Sequence, residues 1–123
     1  MAWNSVTVEP WMALAGTTGC PLLEIVQDRE AWTQTGSYRT GVLDVQVTCA
    51  SGCTVYVEGA DSESGPWSII GQAVTSATEA SICLHRDAQQ GATDRLAPVL
   101  RWRLTNSGTA WTASFRIHLT LKD

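Results

Sequence analysis

From Trp111 to Lys122 the side chains alternate without a break. Trp111, Ala113, Phe115, Ile117, Leu119 and Leu121 share one parity, and Thr112, Ser114, Arg116, His118, Thr120 and Lys122 share the other. A period of two sustained this long specifies a strand with one face in a core and one in water, because a helix would scatter the same apolar groups around its whole surface. Such a strand is not stable alone; it needs hydrogen-bonded neighbours and a second layer over its apolar face. Upstream, Leu100, Trp102 and Leu104 alternate with Val99, Arg101 and Arg103, and Asn106-Ser107-Gly108 supplies turn chemistry, so the two runs are expected to form a hairpin.

A second pair reads the same way. Leu43, Val45, Val47 and Cys49 alternate with Asp44, Gln46 and Thr48; Ala50-Ser51-Gly52 turns the chain; Cys53, Val55 and Val57 return opposite Thr54, Tyr56 and Glu58. Weaker strands are predicted over 5–8, 22–27, 67–72 and 80–85, each bounded by Gly, Pro, Ser or Asp. No stretch carries an apolar stripe at helical spacing, and only a short helical turn is expected near 87–90. The fold class is all-β: an antiparallel β-sandwich or jelly roll of about seven to eight strands. With 123 residues the chain suffices for one core. Residues 1–20, where Trp3 and Trp11 stand among Gly, Thr and Pro, are expected to form an N-terminal arm, and 21–123 the sandwich domain.

Charge and hydropathy exclude several function classes. Eight basic residues against twelve acidic ones give a net charge of -4, the wrong sign for a non-specific nucleic-acid binder. No polybasic run attracts an anionic membrane, and no apolar run approaches the length that spans one. The N-terminus has neither the positive region nor the apolar region of a secretory signal, so synthesis in a cytoplasm is expected. The four cysteines, Cys20, Cys49, Cys53 and Cys83, are then expected free and buried, although a disulfide across the Cys49–Cys53 turn is an alternative. Zinc would require Cys49, Cys53, Cys83 and His85 together, but only one C-x-x-x-C element exists where zinc knuckles pair two.

No catalytic motif is present: no nucleophile elbow, zincin helix, Walker loop or dinucleotide fingerprint. His118 has solvent-facing parity, and His85 ends a strand beside Arg86 and Asp87. The chain is therefore expected not to be an enzyme and to need no cofactor. Asp61 and Glu63, in GADSESGPW, fit a solvated turn better than a calcium loop. Contacts with a partner are expected from that turn and its Trp67, and from Gln89 and Gln90 in the long polar segment 85–97. Of six tryptophans, Trp102 and Trp111 fall on core parity, whereas Trp3, Trp11, Trp32 and Trp67 stand where a partner could cover them. Arg101, Arg103, Arg116, His118 and Lys122 should project from one outward face, opposite an acidic set of Asp44, Glu58, Asp61 and Glu63. Complementarity between copies of the chain is one reading of that sorting, a solvated face the other.

The stretch VYVEGADSESGPWSIIG, followed by LRWRLTNSGTAWTASFRIHLTLKD, resembles the acidic turn, Trp and closing-strand pattern of discoidin-like jelly-roll modules. Those modules carry bracketing terminal cysteines that this chain lacks. The layout of arm and small sandwich is similar to structural proteins of tailed phages, particularly capsid decoration (cement) proteins. That resemblance implies a virion protein on the outer capsid surface, a homo-oligomer such as a trimer, binding the major capsid protein. Trp3 and Trp11 would be anchors, with Arg101, Arg103 and Arg116 pairing to acidic capsid residues. A tail or baseplate component and a carbohydrate-binding sandwich are the alternatives.

Overall fold

The computed structural model describes residues 3–16, 24–106 and 109–122, with the backbone alone for 3–7. Among the described residues nine strands are formed: β1 (Trp3–Gly16), β2 (Glu24–Val26), β3 (Thr33–Gln34), β4 (Thr40–Ser51), β5 (Cys53–Ala60), β6 (Ser68–Val74), β7 (Thr78–His85), β8 (Val99–Asn106) and β9 (Trp111–Lys122). They make an all-β, jelly-roll-like sandwich of two antiparallel sheets. The first has the order β1-β9-β4-β7; the second runs β2-β8-β5-β6, with β3 also paired to β8. The single 3₁₀ turn among the described residues is Arg29–Ala31, and 87–90 is a plain turn.

The C-terminal alternation is realised residue by residue. Phe115, Ile117, Leu119 and Leu121 are fully buried, and they meet Leu43, Val45 and Val47 of β4. From the other sheet Val55, Val57, Leu100, Trp102 and Leu104 close the core, with the Trp102 and Phe115 rings edge to face at 5.1 Å.

Neither expected hairpin forms. β8 and β9 belong to different sheets, as do β4 and β5, so the members of each pair lie on opposite sides of the core. The reason is physical: alternation specifies which side of a strand is apolar, and in a sandwich an apolar side is satisfied equally by a layer opposite or by continuity with a neighbour. Gly52 makes the β4–β5 corner possible, with φ at +71° and Ala110 O only 2.7 Å from where a Cβ would stand.

Of the residues expected as an arm, 3–16 form the edge strand β1, paired along nearly the whole of β9. Their weak periodicity comes from register shifts between Thr7 and Met12, which turn both Val8 and Glu9 inward. Val8 is in the core, and the buried Glu9 carboxylate accepts the Trp102 Nε1–H at 2.8 Å. Gln27 ties the same corner together, donating to Val8 O at 2.8 Å and accepting from Trp102 N at 3.2 Å. The boundary at residue 20 lies outside the described residues.

Candidate interaction surface

Each sheet turns one face to the core and one outward, and the two outward faces differ. On the second sheet, Glu58 of β5 stands opposite Arg101 of β8, with Arg103 one pleat along. Glu58 Oε1 accepts from Arg101 Nε at 3.1 Å, and Oε2 accepts from Arg103 Nε at 3.0 Å, so one carboxylate serves both guanidiniums. The carboxylate is buried beneath them; the Glu58 side chain is 6% exposed. Trp67 lies against Arg101 at 3.7 Å from ring to guanidinium, Trp32 lies at 5.0 Å, and Tyr56 covers Arg103 at 4.3 Å. Burial pulls the Arg103 guanidinium down, but the hydrogen bond and charge of Glu58, with Glu24 and Tyr56, outweigh it and raise it overall.

This arrangement corrects the expected charge sorting. Because β8 and β9 are in different sheets, Arg101 and Arg103 do not share a face with Arg116, His118 and Lys122. Arg101 and Arg103 are paired within the chain, so their charge is already satisfied. The other acidic partners are also internal: Asp61 with Arg95, and Glu63 with Arg29 at 2.9 Å. Trp67 and Trp32, expected under a partner, pack on each other edge to face at 5.0 Å. Gln89 and Gln90 are exposed on the loop after β7, where Gln89 O accepts from Ala92 N.

The outward face of the first sheet is open. One row crosses all its strands: Trp11 on β1, Arg116 on β9, Gln46 on β4 and Glu79 on β7. Trp11 is placed there by the same irregularity that buries Glu9, and its ring lies 5.4 Å from the Arg116 guanidinium. Arg116 Nη2 donates to Gln46 Oε1, and Gln46 Nε2 donates to Glu79 Oε1 at 3.0 Å. Ser81 donates to Asp44 in the neighbouring row. Trp11 is 52% exposed, one of two large apolar side chains exposed among the described residues, the other being Ile69. Its ring walls a hollow of about 400 Å³ whose other side is Gln46–Thr48 and Ala77–Glu79. Trp3 opens β1 opposite Lys122 in register, and its side chain lies outside the described residues.

The cysteines divide by position. Cys53 is buried and free, donating to Thr112 O at 3.3 Å, and burial pushes its thiol up. Cys49 and Cys83 are free but exposed, contrary to the expected burial. For Cys49 the cause is a register shift after Val47, which breaks the parity of the upstream residues. Cys20 lies outside the described residues. Among those described, no three His, Cys, Asp or Glu side chains are grouped to hold a metal ion, and no helix is long and apolar enough to cross a membrane.

No protein-family model matches the chain, and no curated protein matches it. Among solved structures it is similar to a chain of the Bacillus endospore appendages, a family of disulfide-linked pili. That likeness has 10% identity and a TM-score of 0.46, and it covers 97% of this chain and 90% of that one. It is also similar to a chain of infectious bursal disease virus, Gx strain, at 10% identity and a TM-score of 0.48. There 97% of this chain covers 32% of the viral chain, so this chain spans less than a third of that relative's length.

Proposed function

We propose that the chain is a non-enzymatic structural protein that attaches to a larger assembly through the outward face of its first sheet. The observation that carries this reading is Trp11, 52% exposed beside the Arg116–Gln46–Glu79 row on the outward face of the sheet. An exposed indole beside planar hydrogen-bonding groups is the composition of an interface anchor: the ring supplies apolar contact at small entropic cost, and the polar row fixes orientation. The assembly we favour is a viral capsid, with the chain as a decoration protein on the major capsid protein, as the resemblance of its layout to phage decoration proteins implies. Each contact can be modest there, because an oligomer bound at several lattice points gains from effective concentration.

The test is to separate particles from soluble protein on a density gradient and measure this chain against the major shell protein by quantitative mass spectrometry. A fixed ratio near or somewhat below one supports decoration. A few copies per particle moves the chain to tail or baseplate, and recovery only in soluble fractions overturns the virion reading. Trp11→Ala should weaken attachment more than about tenfold while changing folding stability by less than about 1 kcal/mol.

A second reading rests on the same row. An aromatic ring beside Arg, Gln and Glu can stack on a sugar ring and bond its hydroxyls. Quenching of tryptophan fluorescence by glycans at millimolar concentration, lost in Trp11→Phe, would favour a carbohydrate-binding sandwich over capsid attachment.

A further inference from the structure

At the other end of the first sheet, the loop entering β4 and the end of β7 enclose a hollow of about 380 Å³ lined by Arg39, Thr40, His85, Arg86 and Asp87. Arg86 organises it. Its Nε donates to Tyr38 O at 2.9 Å, and its Nη2 donates to Thr35 Oγ1 at 2.9 Å and Gly36 O at 3.0 Å. Every acceptor is neutral, and Nη1 donates to no acceptor among the described residues. The Arg39 side chain is exposed and makes no hydrogen bond or ion pair among the described residues. Elsewhere on the described surface the arginines are spent: Arg29, Arg95, Arg101 and Arg103 have carboxylates, and Arg116 has Gln46.

We infer that this hollow binds one carboxylate group, presented by an acidic side chain of a partner protein, between the guanidiniums of Arg39 and Arg86. The charge count selects the ligand class. Arg95 is already neutralised by Asp61, so the Arg and Asp side chains of the lining set two guanidiniums against the one carboxylate of Asp87 and leave one positive charge unmatched. A monoanionic carboxylate balances that charge, whereas a phosphate dianion would meet Asp87 with its second charge uncompensated. The unpaired Arg39 guanidinium offers a planar fork that matches a carboxylate edge, while Arg86, with Nε and Nη2 bonded to the loop, has Nη1 left to donate. Burial, with the nearby Arg95, holds Arg86 below the ordinary guanidinium value, the direction expected of a cation without an anion. Because the loop 35–38 is bonded to Arg86, the site is preformed and its occupation needs no refolding. The inference does not depend on the Trp11 face.

The experiment is an NMR titration of the whole ¹⁵N-labelled chain with sodium acetate, with a capped Gly-Asp-Gly peptide, and with sodium phosphate, each against sodium chloride at matched ionic strength. Saturable shifts at the Arg86 Nε–H and the Thr40 and Asp87 amides are expected with acetate and more tightly with the peptide. Arg39→Gln should weaken the peptide about tenfold without altering spectra elsewhere, since its side chain supports nothing in the fold. Asp87→Asn, by adding a net positive charge, should improve phosphate relative to acetate. Four results would overturn the assignment: no saturation, an unchanged affinity in Arg39→Gln, phosphate binding tighter than acetate in the unaltered chain, or acetate binding while the peptide does not.

Discussion

The two outward faces are built on the same kind of sheet and end in opposite states. On the second sheet a carboxylate holds two arginines, and three aromatic rings roof the ion pairs, so charge is turned into cover for the sheet. On the first sheet the polar groups touch at their tips, Arg116 to Gln46 to Glu79 in one row and Ser81 to Asp44 in the next, and the large ring beside Arg116 is left half in water. Arginine alone therefore says little about docking. What matters is whether a chain supplies its own acceptor at the cross-strand position, as β5 does for β8 with Glu58, or leaves that position to a neutral amide, as β4 does for β9 with Gln46. The closed face contributes stability; the open one is available to a partner.

The largest effect that separates the faces should come from Glu58→Gln. Two guanidiniums under aromatic cover would lose their only shared anion, and removing one partner of a largely buried ion pair costs about 3 kcal/mol. Arg101 and Arg103 retain some solvent contact, at 14% and 20% side-chain exposure, so about 2 kcal/mol is the expected loss in urea unfolding. A change below about 0.5 kcal/mol would show that the network is an ordinary solvated surface and that the contrast with the first sheet is only apparent.

How much of this was legible in the sequence depends on what alternation can encode. Parity identified most core residues of β4, β5, β8 and β9, including Trp102 and Trp111, because burial repeats with the pleat, but it put Val99 outward and Cys49 inward where the structure has the reverse. It could not say which strands pair, so both pairs read as hairpins although their members lie in different sheets. β1 was obscured by its own irregularity: Val8 and Glu9 both face inward, and Pro10 and Trp11 follow, a sequence that matches no simple period. The surface roles were legible only in part. Trp11 was one of four rings that a partner could cover; it is exposed, whereas Trp32 and Trp67 of the same group pack on each other. Arg101 and Arg103 looked equally available, because their acceptor, Glu58, is distant in the chain and becomes adjacent only through the pairing of β5 with β8. Arg39 and Arg86 carried no signal beyond their residue type; a loop that folds back onto a guanidinium through carbonyl groups leaves no side-chain pattern.

A smaller effect tests the roof of the closed face. Trp67→Ala removes the ring nearest to Arg101 and the edge-to-face partner of Trp32. Both rings are only half-buried, so the expected loss is about 1.5 kcal/mol, combining a cation–π contact with partial apolar burial. The informative measurement is the double mutant with Glu58→Gln. If the rings act by drying the ion pairs, the two losses will fall short of additive by more than about 0.5 kcal/mol; strict additivity would mean that aromatic cover and charge stabilise this face separately.

The smallest effect belongs to the open face. Gln46→Ala cuts the row in its middle, releasing both Arg116 and Glu79. Each of these can turn to water, because Arg116 and Glu79 are exposed, so neither is left as an unpaired buried charge. A net loss of less than about 0.5 kcal/mol in urea unfolding is expected, the ordinary worth of a surface hydrogen bond. Yet the same substitution should alter whatever uses this face, since the amide sets the guanidinium plane beneath the Trp11 ring, and a freed Arg116 no longer holds that ring over the sheet. Unchanged stability together with weakened attachment would place the value of the row in orientation. A loss approaching that of Glu58→Gln would instead show that the first sheet is held together by its outer row as firmly as the second, and the distinction between a closed and an open face would fail.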